Sequence, residues 1–272
     1  MRASLVRAQS VAEWRSWPRT LIMVTLAAAA WLVVLYQART MESMCGMCSG
    51  MSVACPMCMG THHALWVILP SFLLMWAAMM AAMMLPAVTP LVAIYSRMAA
   101  ARRARGERPG PVALFVVGYL LAWTATGVLA FGVTRVVQWA LGRAPDLANG
   151  GRLAAAAVFV LAGAYQLLPF KDRCLSHCRS PLAFFMHHWR HTPAGVFRMG
   201  LSHACYCIGC CWGLMAVMFA VGLMNLSWMV GLTIVMTLEK VIQRGQWVSR
   251  LSGIAFIGVA VLFIAQHLLG RG

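Results

Sequence analysis

Sulfur-bearing side chains are concentrated in residues 41–59, where two Cys-x-x-Cys units are separated by six residues and interleaved with six methionines. Each unit can direct two thiolates at one metal ion, and thioether sulfur suits Cu(I) but contributes little to Zn²⁺ sites. Two histidines follow and add imidazole donors. The predicted ligands of this segment are Cys45, Cys48, Cys55, Cys58, His62 and His63. A pair of structural disulfides is the alternative for the four cysteines.

A second group of candidate ligands lies inside long apolar segments. At about 100° per residue, Met75, Met79 and Met83 share one face of a helix, although core packing alone also explains many methionine stripes. A later apolar segment has four cysteines within seven residues, a density that favours metal ligands, with cysteine as a small buried hydrophobe as the alternative. The predicted intramembrane ligands are Met75, Met79, Met83, Cys207, Cys210, Cys211 and Met215. They would hold or pass a soft metal ion.

A polar connector, residues 170–200, carries further candidates. Cys174 and Cys178 are four residues apart and would face the same way on a helix, which predicts a metal or redox role for the pair. Aromatic residues nearby, including Phe184 and Phe185, indicate an amphipathic helix at the membrane interface, where the local histidines would contact headgroups. Glu239 lies near membrane depth and is a functional candidate, unless Lys171 or Lys240 neutralises it.

The elements that must position these ligands are membrane spans. The chain has 272 residues, of which 62% are hydrophobic and 10% charged, and a soluble domain of this length could not bury so much apolar surface. Each helical crossing needs about 20 apolar residues. The sequence predicts an all-α polytopic transmembrane bundle of about seven spans. Their approximate ranges are 21–36, 66–94, 112–133, 153–168, 203–223, 227–242 and 254–267.

The basic residues predict the orientation of this bundle. A net charge of +16 would suggest nucleic acid for a soluble protein, but here the Lys and Arg residues lie between apolar segments. Seventeen of them fall on one side and four on the other, which predicts a cytoplasmic N-terminus. No nucleic-acid partner is expected.

Four regions follow from this assignment. They are a basic cytoplasmic N-terminus (1–20), a first transmembrane helix (21–37), a Cys/Met-rich extracytoplasmic loop (38–63), and a six-helix metal-binding membrane domain (64–270) that contains the cytoplasmic connector. The first helix is predicted to be an uncleaved signal anchor, because a small-x-small cleavage site does not follow it; a cleaved signal peptide is the alternative.

Three segments resemble a family of bacterial integral membrane proteins that are described as metal-binding and otherwise of unknown function. They are Trp76–Pro86, Lys171–Pro181 and Gly209–Met215, and the similarity extends to Met224-Asn225 and Glu239-Lys240. The resemblance covers most of the chain after Trp66 and implies a metal-binding membrane protein, without naming the metal or a reaction. With the predicted spans, we expect a multi-pass protein of the bacterial inner (cytoplasmic) membrane.

The sequence therefore favours a Cu(I)-binding membrane protein that acts in metal transport, storage or delivery, with zinc as the alternative metal. Its expected partners are the lipid bilayer and a metallochaperone or metalloenzyme subunit. A membrane thiol–disulfide oxidoreductase that uses the external Cys-x-x-Cys units is the second hypothesis. An assembly subunit of a membrane metalloenzyme is the third.

Overall fold

The computed structural model describes residues 21–40, 65–143, 151–223, 225–242 and 244–269. Within these ranges the chain forms nine α-helices and no β-strand, which confirms the predicted all-α helical bundle. The helices are α1 (Leu21–Thr40), α2 (Leu65–Ala104), α3 (Val112–Arg143), α4 (Gly151–Leu167), α5 (Pro169–Arg179), α6 (Pro181–His188), α7 (Pro193–Val221), α8 (Leu226–Val241) and α9 (Gly245–Leu269).

Several of these helices can cross a bilayer, as expected for a membrane protein. In the described ranges, α1, α2, α3, α7 and α9 are long and apolar enough, and α4 with α5 makes a sixth candidate despite a 64° bend between them. α8 has 16 residues, so it is about 24 Å long and shorter than a hydrocarbon core of about 30 Å. The count of seven spans therefore stays a prediction.

Two helices differ in length from the predicted spans. α2 extends ten residues beyond the predicted end of its span, past Pro70, Pro86 and Pro90 to Ala104. Prolines are tolerated inside such helices where neighbouring helices support the backbone, and α3 and α8 both pack on α2. α7 begins at Pro193, ten residues before the predicted span.

Local capping explains that early start of α7. The Thr192 hydroxyl accepts a hydrogen bond from the Gly195 N–H at 3.1 Å, and Pro193 occupies the first helical turn. The bend between α4 and α5 has a similarly local cause. Leu168 is extended (φ −73°, ψ 137°) because Pro169 disfavours a helical conformation in the residue before it. α5 therefore turns across the bundle beside α7.

The aromatic residues of α6 are covered by protein and not by lipid headgroups, whereas the interfacial position of the helix itself stays a prediction. Phe184 and Phe185 are 3% and 0% exposed. Phe185 packs against Tyr95 of α2 and Phe115 of α3, with ring centroids 5.5 Å and 5.9 Å away. Amphipathic periodicity identified a buried face but could not show whether protein or lipid covers it.

α7 lies at the centre of the bundle and packs against α3, α4, α5 and α8. Glycine allows the closest approaches. A Cβ added to Gly200 would collide with the Phe115 carbonyl of α3, and one added to Gly213 would lie 2.7 Å from the Tyr165 ring of α4. A Cβ on Gly209 would lie 3.0 Å from the Cys174 sulfur of α5. The Gly209/Gly213 face is thus a close packing surface, as its spacing predicts.

Candidate metal centre

Three cysteine side chains converge beside the middle of α7. The Sγ atoms of Cys178, Cys207 and Cys210, the three-thiol cluster, all lie within 4.8 Å of one another. Cys178 Sγ is 3.8 Å from Cys210 Sγ. A metal–thiolate bond is about 2.3 Å, so three sulfurs around one ion lie about 4 Å apart. The cluster can therefore converge on a single ion with small side-chain movements.

Two helices supply the cluster. Cys207 and Cys210 are three residues apart on α7 and are fully buried, whereas the half-buried Cys178 comes from the last turn of α5. The Arg179 side chain donates to the Ile242 carbonyl at 2.8 Å, which holds the end of α5 against the end of α8. The Tyr165 hydroxyl donates to the Gly209 carbonyl and joins α4 to α7. The packing of α5 on α7 brings the Cys178 sulfur within 4.8 Å of the Cys207 sulfur.

Cys207 also has two polar partners from other helices. Lys240 of α8 donates from Nζ to Cys207 Sγ at 3.0 Å. The Tyr119 hydroxyl of α3 is 3.0 Å from the same sulfur. An ammonium group at hydrogen-bond distance stabilises a thiolate inside an apolar bundle. Cys207 is therefore the thiol of the cluster that is best prepared to bind a cation.

A buried ion pair is formed by Glu239, the residue before Lys240 on α8, and Lys171 of α5. Lys171 Nζ donates to both Glu239 carboxylate oxygens at 2.8 Å, and the side chains are 0% and 1% exposed. Gln166 donates to Glu239 at 3.1 Å and to the Ser252 hydroxyl at 2.8 Å, and Lys171 also donates to the Gln166 carbonyl oxygen. The sequence left open which lysine neutralises Glu239. The structure assigns Lys171 to that role, and Lys240 contacts Cys207.

The other predicted ligands have different surroundings. Cys211 lies beside the cluster, with its Sγ 3.4 Å from that of Cys210, and Met215 is one turn further along α7. Met79 and Met83 are fully buried in α2, and Met75 is half-buried. Cys174 faces Gly209 and is not part of the cluster, so the predicted Cys174/Cys178 pair has two separate environments. The six loop ligands, Cys45, Cys48, Cys55, Cys58, His62 and His63, lie outside the described residues.

Three residues around the cluster were not predicted as part of a site. Lys240 shares the face of α8 that carries Met229 and Met236, so its helical position was visible in the sequence. His203 is four residues before Cys207, which is also a recognisable helical spacing. Tyr119 has no local signal, because it reaches Cys207 only through the packing of α3 on α7.

The fold and the cluster together define a helical membrane protein with a buried thiol site. The copper chaperone family PpoB2 matches residues 73–263 of this chain. The match covers more than half of the sequence, and the chain belongs to this family. The matched segment includes every residue of the three-thiol cluster and excludes the Cys/Met-rich loop. Comparisons with curated proteins and with solved structures returned no match. Family and cluster together indicate a metal-binding protein, with copper as the metal suggested by the family.

Proposed function

We propose that this protein accepts Cu(I) from the extracytoplasmic side of the bacterial inner membrane and holds it at Cys178, Cys207 and Cys210 for delivery. The observation that carries the proposal is the convergence of these three sulfurs, one of them paired with Lys240, in a member of a copper chaperone family. The recipient would be a metallochaperone or a metalloenzyme subunit.

The charge of the site favours a monovalent ion. The Lys240 ammonium and a Cys207 thiolate form a neutral pair, so an incoming Cu(I) ion is balanced when one further thiol loses its proton. A Zn²⁺ ion would require two thiol protons to leave, or else a net charge would stay in the apolar bundle at considerable cost. Zinc also prefers four ligands in a tetrahedron, whereas soft thiolate and thioether donors select Cu(I).

Buried methionines extend from the cluster toward the turn between α7 and α8. These helices are antiparallel neighbours, and Cys207 and Lys240 are each fourteen residues, about 21 Å, from that turn. Thioethers fill the interval on three helices. They are Met215 and Met218 of α7, Met229 and Met236 of α8, and Met79, Met80, Met83 and Met84 of α2. We propose that this methionine column passes Cu(I) to the cluster from the extracytoplasmic side.

The cluster is tested by metal analysis of protein purified under anaerobic conditions. Cys207→Ser should hold about one copper ion per chain less than the parent protein, because this change removes the thiol that Lys240 and Tyr119 contact. Cys205→Ser is the matched control, since Cys205 is on the same helix but exposed, and its copper content should be unchanged. Equal copper in both variants, or zinc without copper in the parent, would contradict the proposal.

The methionine column is tested separately. Met79→Leu combined with Met83→Leu nearly preserves side-chain volume and should cost less than about 1.5 kcal/mol per site in packing, yet it removes two thioethers. We expect a lower copper content in this variant. Met98→Leu is the control, because Met98 is on the same helix but near its far end. Copper content equal to that of the control would show that Met79 and Met83 serve packing alone.

A further inference from the structure

A cavity of about 190 Å³ lies next to the three-thiol cluster, between α2, α3, α5, α7 and α8. Its walls include Cys178 and Cys207, together with Tyr119, Lys240 and His203. Cys210 and Cys211 do not line it. Two of the three cluster thiols are therefore accessible from this cavity, and the third is behind them.

His203 is an unusual side chain for such a wall. It is 4% exposed, and its Nδ1 atom is buried without a hydrogen-bond partner. Leaving a polar nitrogen unpaired in the interior is unfavourable, because the nitrogen loses its hydrogen bond to water and gains none in return. The ring is held by aromatic neighbours, with centroids 5.1 Å from Phe184 and 5.9 Å from Tyr119. Within the described part of the chain, the His203 Nδ1 atom therefore makes no hydrogen bond that would explain its presence in this wall.

The position of His203 on α7 relates it to the cluster. It is four residues before Cys207, and residues at this spacing lie about 5–6 Å apart on the same face of a helix. Helical histidines at i and i+4 bind a metal ion by the same geometry. His203 lies one turn from Cys207 toward the start of α7, whereas the methionine column lies toward its end. The cavity thus adjoins the side of the cluster opposite to the methionines.

We propose that His203 is a further copper ligand, which with Cys207 and Cys178 holds Cu(I) at an exchange position in this cavity as the ion leaves the three-thiol cluster. Imidazole and thiolate both suit copper. The ion changes ligands without a change of oxidation state, by gaining the imidazole nitrogen and losing the Cys210 sulfur. This inference rests on the proposed function and adds the route by which copper leaves.

The exchange position is tested by the rate at which copper-loaded, full-length protein transfers Cu(I) to a water-soluble Cu(I) chelator. His203→Leu should retain copper but transfer it at least tenfold more slowly, because the intermediate ligand is missing. His203→Met differs little from His203→Leu in volume but restores a soft donor, and it should transfer copper within about threefold of the parent rate. His188→Leu is the control, because His188 also packs on Phe184 but does not line the cavity.

A second measurement does not require a change at His203. In Cys210→Ser the cluster is broken, but Cys178 and Cys207, the two thiols that line the cavity, remain. X-ray absorption of the bound copper should therefore show more imidazole scattering in this variant than in the parent, in which the predicted loop ligands His62 and His63 would already supply imidazole. Equal transfer rates for His203→Leu and His203→Met, or imidazole scattering in Cys210→Ser no stronger than in the parent, would overturn the inference. Failure of the proposed function would give a different result. In that case the copper content of the parent protein would not depend on Cys207.

Discussion

The buried ion pair between Lys171 and Glu239 should contribute strongly to stability only while both partners are present. Both side chains are at most 1% exposed, and the carboxylate has the Lys171 ammonium on both oxygens. Lys171→Met would leave the carboxylate charged and buried beside Gln166, which costs about 3–5 kcal/mol. The double change Lys171→Met with Glu239→Leu removes both charges, and such replacements are often neutral or stabilising by about 1–4 kcal/mol.

The double variant also keeps a partner for the Gln166 side-chain amide. Gln166 would still donate to the Ser252 hydroxyl at 2.8 Å, and the Ser249 hydroxyl, which donates to the Gln166 backbone carbonyl at 2.9 Å, lies 3.4 Å from the side-chain amide oxygen. We therefore expect the free energy of unfolding of the double variant to be no more than about 1 kcal/mol below that of the parent. It should be well above that of Lys171→Met.

Equilibrium unfolding of the purified protein in mixed micelles, with increasing SDS and detection by circular dichroism, measures these differences. Glu107→Gln is the control, because the Arg102–Glu107 pair is 2.8 Å long but about one-third exposed and should contribute at most about 1 kcal/mol. Copper content should remain unchanged in all variants, since neither Lys171 nor Glu239 contacts the cluster thiols. Equal destabilisation in Lys171→Met and in the double variant would refute the reasoning.

Three further predictions concern the cluster, the packing and the topology. Lys240→Met removes a charge-assisted hydrogen bond of about 1.5–3 kcal/mol from Cys207 and should weaken Cu(I) binding about 10- to 100-fold in a competition titration with a chelator. Gly200→Ala should destabilise the fold by about 1–3 kcal/mol through contact with the α3 backbone, whereas Gly231→Ala meets no atom within 4 Å and should be neutral in the same SDS assay. Reporter fusions at Arg105 should read cytoplasmic and those at Ser49 extracytoplasmic, because the basic residues are distributed 17 to 4. A shared side for both reporters would contradict the predicted orientation.

Lys171 and Lys240 have different partners, and this explains how charge is accommodated in an apolar bundle. Glu239 and Lys240 are adjacent on α8, so their side chains leave the helix about 100° apart and meet different neighbours. Glu239 is neutralised by Lys171 from α5. Lys240 thereby remains available to the Cys207 thiol, and the three-thiol cluster keeps a positive charge beside it that a direct Glu239–Lys240 pair would have removed.

Hydropathy and helical periodicity by themselves determined the class of this protein. A chain with 62% hydrophobic residues in segments of about 20 can satisfy its backbone in a bilayer only as helices, so the all-α bundle followed from composition and segment length. The density of thiols in α7 likewise identified Cys207, Cys210 and Cys211 as candidate ligands, because four cysteines within seven residues exceed what packing requires.

Only the tertiary structure decided which of these ligands meet. Cys178 joins Cys207 and Cys210 although Cys174 was its predicted partner, because the chain bends by 64° between α4 and α5 and only the last turn of α5 reaches the cluster. Tyr119 and Lys240 reach Cys207 from separate helices. Periodicity reports which residues share a face of one helix, but it carries no information about the helix that covers that face. The cluster is made of contacts between helices, and those depend on packing of the whole bundle.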